Sequence, residues 1–236
     1  MNKFLVLAFL FCVGCICGWV LELFFRRFVS NRALKIWINP GFLIGPYLPL
    51  YGFGLCILYL MAKLEAFITS KILLFCLMAV FMTLLEYIAG VIFIKGLHVK
   101  LWDYSDRKFN VQGIICPLFS FFWAILGAVY YFLIHPYILD ALAWLSQNLA
   151  FSFFIGMFYG VFCIDVVYSL QLLTKIRKFA EEKKIVIKYE LLKQEIRKRA
   201  QEQREKLPFF IVVRSPAQMR EHLLKYIELE MAFRKK

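Results

Sequence analysis

Asn39-Pro40-Gly41-Phe42-Leu43-Ile44-Gly45-Pro46-Tyr47-Leu48-Pro49-Leu50-Tyr51-Gly52-Phe53-Gly54 opens an apolar segment long enough to cross a bilayer, yet holds three prolines and four glycines in sixteen residues. Each interior proline removes a helical hydrogen bond, and glycine weakens the helix further. In lipid, non-helical backbone survives only where protein or a water-filled cavity satisfies its polar groups. The stretch is therefore either a bent helix packed among its neighbours or part of a polar site.

The surrounding composition sets the class. Of 236 residues, 62% are hydrophobic and 18% aromatic, including 26 Phe. The mean hydropathy is +0.69, well above that of a soluble domain. With about 20 apolar residues per span, the pattern predicts an all-α bundle of about five transmembrane helices. We read spans at about 4–25, 41–62, 70–94, 113–134 and 149–173, which together make a transmembrane domain over 1–173. A signal peptide competes for the first run, since Lys3 precedes it. The run is too long for that, and it ends in Trp19, Glu22, Arg26 and Arg27 rather than a small-residue cleavage site. The seven cysteines all lie in apolar runs, which argues against a disulfide framework. Cys12, Cys15 and Cys17 have the loose spacing of a metal site, but no histidine or further cysteine pair completes it, so they read as small buried thiols.

Charge supplies an orientation. With five spans, the segments 26–40 and 95–112 share a side with the tail, and each carries four Lys or Arg. The opposite side receives only Lys3, Lys63 and Lys71. Basic residues favour the cytoplasmic side, so the N-terminus is expected outside and the C-terminus in the cytoplasm. The tail, 174–236, holds 18 Lys and Arg against nine Asp and Glu, nine of the +13 net charges. It reads as a charged cytoplasmic appendage: a long helix over 175–206 with Ile185, Tyr189, Leu192 and Ile196 at helical spacing, then an apolar run at Phe209–Val213. A second helix follows, capped by Ser215 with Pro216 at its first position. Such a tail suits anionic lipid headgroups. The interspersed acids and the adjacent spans argue against nucleic acid as partner.

The acids of the spans, Glu22, Glu86 and Asp165, are costly there and are functional candidates by default. The orientation puts all three in the cytoplasmic half of the bilayer, level with the start of the broken stretch and the Trp102-Asp103-Tyr104-Ser105…Asn110 loop. Each has a structural alternative. Glu22 stands one turn before Arg26, the favourable order for an intrahelical ion pair. Glu86 and Asp165 have no basic residue three or four positions away, so a partner must come from another segment, or the carboxyl is buried protonated. Trp102 and Tyr104 fit interfacial aromatics, and Asp103 fits a turn or cap.

Gly18-Trp19-x-x-Glu22, the Asn39–Gly52 motif, Glu86, Leu101-Trp102-Asp103-Tyr104-Ser105, Asn110-x-x-Gly113 and Cys116 together resemble a bacterial multi-span family labelled ABC-transporter permeases, type IV. The resemblance covers residues 1 to about 172. It implies a plasma-membrane transport component with a separate ATPase partner, and it marks Trp19, Glu22, Pro46, Tyr51, Glu86, Trp102, Asp103, Tyr104 and Asn110. At Asn39 the family varies among small and polar residues, so the resemblance gives that position no role. No G-x-x-x-x-G-K-[ST] loop is present, so ATP hydrolysis by that device needs a second polypeptide. No Ser-His-Asp arrangement or H-E-x-x-H occurs, and His98, His135 and His222 are scattered. No cofactor or metal is implied. The leading reading is a transport component whose polar site comprises Glu22, Glu86, Asp165, Gly45, Pro46, Tyr51, Trp102, Asp103, Tyr104 and Asn110. A homo-oligomer is compatible with it. The alternatives are a membrane enzyme acting on a lipid-linked substrate with Glu86 or Asp103 as general base, or a structural or regulatory membrane subunit.

Overall fold

A computed structural model describes residues 2–28, 39–202 and 224. Among these residues, five helical runs are long and apolar enough to cross a membrane: Lys3–Phe28, Pro49–Ala66, Lys71–Gly96, Pro117–Gln147 and Leu149–Lys183. The all-α reading therefore stands. Among the described residues the departures are a two-residue parallel pairing of β1 (Val99–Lys100) with β2 (Ile187–Lys188) and an isolated antiparallel bridge between Val111 and Ile115.

Helix α1 spans Lys3–Phe28 and packs along α2, Pro49–Lys63. The approach is close because glycines line it. A Cβ on Gly52 would lie 2.6 Å from Cys15 Sγ and 2.9 Å from the Phe11 carbonyl, and one on Gly14 would lie 2.7 Å from the Tyr51 carbonyl. Small residues at such crossings let backbones pack without cavities. The second span, expected from residue 41, becomes helical only at Pro49. Leu48 is extended and Pro49 takes the first helical position, where its missing N–H costs nothing. Residues 39–48 are irregular throughout.

Helix α3, Lys71–Val91, starts at Ser70, whose hydroxyl accepts from Leu73 N at 3.4 Å, and passes into a π turn at Ile92–Gly96. It packs on α2 and on α4, Pro117–Val129, where Thr83 Oγ1 donates to Ser120 Oγ at 3.0 Å. The interval between the fourth and fifth expected spans, 135–148, is helical over His135–Gln147. A π turn, Tyr130–Ile134, leads from α4 into α5, His135–Gln147. His135 N reaches back to Tyr130 O, and the widened turn precedes Pro136, whose ring and missing N–H do not fit a regular turn. The 31-residue run is thus about 46 Å long at 1.5 Å per residue.

Helix α6, Ser152–Lys183, extends ten residues beyond the expected end of the fifth span. Tyr159 Oη donates to Ala8 O at 3.1 Å, which ties α6 to α1. The single long helix expected over 175–206 is broken. Lys184 is left-handed (φ 52°), Ile185 N returns to Ala180 O at 3.0 Å, and Ile187 N donates to His98 O at 3.0 Å. That six-to-one return bond closes the helix end and turns the chain back, and the Ile185-Val186-Ile187 run suits the strand that comes after it. Helix α7, Tyr189–Glu202, is next, with Tyr189, Leu192 and Ile196 buried against Val99, Leu173 and Ile176. The connection at 29–38, the Phe209–Val213 run and the Ser215-capped helix lie outside the described residues.

The close α1–α2 crossing yields a prediction. Gly52→Leu is expected to destabilise the bundle by about 1–3 kcal/mol, as overpacking does, whereas Gly156→Leu, whose added side chain starts in open space, is expected to change little. Thermal unfolding of both variants in detergent tests the contrast.

Candidate functional site

The irregular stretch is buried or half-buried except at Pro46, and several of its backbone groups are met by side chains and by α1. Asp165 on α6 accepts from Ile44 N at 3.0 Å and Gly45 N at 2.6 Å, and Ser169 Oγ donates to it at 2.9 Å. Asn39 Nδ2 donates to the carbonyls of Leu43 at 2.8 Å and Ile44 at 3.0 Å. Its Oδ1 accepts from Trp19 Nε1 at 2.9 Å and Gly41 N at 3.3 Å. Leu48 N donates to Cys15 O on α1 at 3.0 Å. Lys193 on α7 donates to Asn39 O at 2.8 Å and to Gly41 O. Asp165 and Lys193 are both buried. Gly45 is fixed by Asp165 on its N–H and by the Tyr47 ring, which a Cβ would overlap at 2.2 Å. Pro46 is exposed at the turn.

A second cluster lies where α1 meets α2. Glu22 accepts from Arg26 Nε and from Tyr51 Oη, both at 2.7 Å, and Arg26 continues to Glu190 on α7. The intrahelical pair anticipated for Glu22 is therefore present, as part of a chain that reaches the tail. Tyr51 is steered there because Gly18 leaves room for its ring.

The third cluster centres on Glu86 of α3. Its carboxylate accepts from Tyr104 Oη at 3.0 Å and Trp123 Nε1 at 2.9 Å, and no Lys or Arg among the described residues contacts it. The Trp123 ring lies 6.1 Å from that of Tyr51. A polar file therefore runs Arg26–Glu22–Tyr51, then Trp123–Glu86–Tyr104, through apolar surroundings. Tyr104 stacks on Phe119 with centroids 4.3 Å apart.

The loop residues hold the loop itself. Asp103 accepts from Ser105 N at 3.2 Å, Ser105 Oγ at 2.5 Å, Lys100 at 3.3 Å and Lys188 at 2.9 Å. Burial would raise its pKa, but the bonds from Ser105 and Lys188 and the charge of Lys100 outweigh it and hold the carboxyl well below the usual range. Asn110 donates to Arg107 O at 2.8 Å and accepts from Gly113 N at 2.9 Å, beside the left-handed Phe109, Gln112 and Gly113. Trp102 Nε1 donates to Ile114 O at 2.8 Å. Between this loop and the first turns of α7 lies a cleft of about 600 Å³, lined by residues including Lys100, Trp102, Asp103, Lys188, Glu190 and Gln194. Only Trp102 and Asp103 of the expected site residues border it.

A family model described as "Putative ABC-transporter type IV" matches residues 9–170. The chain belongs to that family. Membership in this type IV family, with the five apolar helices, makes the protein a membrane transport component. No curated protein and no solved structure matches the chain. The matched region contains the broken stretch, Glu22, Glu86 and Asp165, and it stops short of Lys188, Glu190 and Lys193.

Sequence reasoning missed several members of these clusters. Asn39, given no role, makes more bonds to the irregular stretch than any other side chain among the described residues. An Asn just before Pro-Gly is a recognisable signal, since its side chain mimics a backbone turn. Trp123 looked like any apolar-span aromatic. Lys193 had no signal, being one lysine in a basic helix.

Asp165→Ala is expected to strand the Ile44 and Gly45 N–H groups, at about 1–3 kcal/mol for each buried group left unpaired. Denaturant titration of the variant in mixed micelles should show that loss, with Ser169→Ala costing less.

Proposed function

We propose that the protein is the membrane-spanning permease part of an ATP-driven transporter and works with a separate ATPase polypeptide. The observation that carries this reading is the largely buried, non-helical stretch 39–48, several of whose backbone groups bond to α1, α6 and α7. Interrupted helices of this kind line the sites of transporters and give them a segment that can change shape. The polar file from Arg26 to Tyr104 supplies the charged and hydrogen-bonding groups beside it. We place the 95–112 loop, the tail and the cleft between them in the cytoplasm of a bacterial cell, where the ATPase would dock and anionic headgroups would meet the basic tail.

The enzyme alternative is weaker on two counts. Asp103, already bonded to two lysines and Ser105, is a poor general base. Glu86 accepts a hydrogen bond on each oxygen and does not line the cleft.

Purification of the tagged full chain in mild detergent is expected to bring down a polypeptide carrying a G-x-x-x-x-G-K-[ST] loop; repeated recovery of the chain alone would count against the permease reading. Glu86→Gln should reproduce the metabolite profile of a deletion strain, and a wild-type profile would remove Glu86 from the site. For orientation, single cysteines placed at Arg107 and at Gln147 should react with an impermeant reagent from opposite faces. Reaction from one face would overturn the five-span arrangement.

A further inference from the structure

The contact between α7 and the broken stretch is unusual in its chemistry. Lys193 is buried, yet among the described residues its amine meets no carboxylate. It bonds to two carbonyl oxygens, Asn39 O and Gly41 O, and lies 4.6 Å from the centroid of the Tyr189 ring. A buried ammonium is normally paired with an acid. Here the carbonyls need only N–H donors, which a neutral amine also provides. Around this point α7 has two more ties to the rest of the molecule, Glu190 to Arg26 and, just before the helix, Lys188 to Asp103.

We propose that α7 is a latch on the broken segment, set by the Lys193 amine and loosened when that amine takes a proton. Closed, the latch caps the two carbonyls that the irregular backbone leaves open. Released, it uncovers them and separates Glu190 from Arg26, so the stretch is free to rearrange from one end.

The charged surroundings support the direction of the effect. Burial, reinforced by the Arg26 guanidinium and partly offset by Glu190, pulls Lys193 down to about 7. The groups that face it are Arg26, itself paired with Glu22, from α1, and Tyr189 and Glu190 from α7. Asp165 of α6 acts electrostatically on Tyr189. The broken stretch presents carbonyls but no titratable side chain between Asn39 and Pro46. A freed Lys193 returns to an ordinary lysine pKa near 10.4. The undocked state therefore binds more protons between about pH 7 and 10, so docking strengthens as pH rises through that window and is weakest below it. The latch bears on transport only through the reading of the broken stretch as a moving element of a permease. The contact itself can be measured without it.

The test is amide hydrogen exchange of the full chain in lipid nanodiscs from pH 6 to 9, corrected for intrinsic rates, with peptides covering 39–48 and 189–196. Protection of both segments should fall together by about tenfold per pH unit from 9 towards 7, one proton being linked to release, and level off below. Lys193→Gln, which keeps a neutral donor, should stay protected across the range. Lys193→Arg, always charged, should be unprotected even at pH 9. Unchanged protection of α3 shows that each variant is folded. Wild-type protection that ignores pH, a Gln variant that tracks the wild type, or an Arg variant as protected as the wild type at pH 9 would each overturn the latch. A latch that behaves as described in a protein that never recovers an ATPase partner would instead retire the permease reading alone.

Discussion

A stretch of backbone that cannot be helical, placed where water is scarce, must borrow every hydrogen bond that a helix would have made internally. Residues 39–48 set that requirement, and much of the polar architecture answers it. The N–H groups of Ile44 and Gly45 need an acceptor and take Asp165. The carbonyls of Leu43 and Ile44 take the Asn39 amide, and those of Asn39 and Gly41 take Lys193. Leu48 N takes the Cys15 carbonyl. The irregular segment thereby binds α1, α6 and α7 into one unit. An acid and a lysine persist in an apolar protein because neither could be removed without stranding backbone.

The same segment fixes where the second helix starts and so which way its first side chains face. Because the helix begins only at Pro49, Tyr51 falls in its first turn, against the space left by Gly18, with its hydroxyl on Glu22. From there the Tyr51 and Trp123 rings carry the polar file across to Glu86. The 101–115 loop closes the other end of that file with Tyr104, and it is itself fixed by Asp103, Asn110 and left-handed turns. Motif residues as far apart in sequence as Gly18 and Asn110 thus serve one connected network.

Five spans were legible because apolar length is a strong, local signal, and a break within 39–54 because proline and glycine act through the backbone. Helix ends were less so. The π turn before Pro136 and the left-handed Lys184 depend on how the chain packs afterwards, which hydropathy does not encode. The acids Glu22, Glu86 and Asp165 stood out against apolar neighbours, but their partners did not. Tyr104, Trp123 and the backbone of Gly45 come from distant segments, and a donor that is apolar in bulk, such as a tryptophan, hides its N–H in any composition count. Lys193 was least legible of all, since burial by tertiary contact turns one of 18 basic tail residues into a cap on the broken segment.

The division of labour between Asp165 and Lys193 suits a segment that moves. Asp165 belongs to α6 and is held by Ser169 one turn later, so the N–H groups of the stretch are covered by a fixed partner. Lys193 belongs to a helix that comes after a turn and a two-residue strand, so the carbonyls are covered by a partner on a separable element. The two kinds of group differ in what they tolerate: an orphaned buried N–H is rarer than an under-satisfied carbonyl, which has two lone pairs and can turn to water. A device that kept the carboxylate on the mobile side would bare the costlier groups at each opening. Here the opening side, the helix whose Glu190, Leu191 and Gln194 line the cleft, bares the cheaper ones.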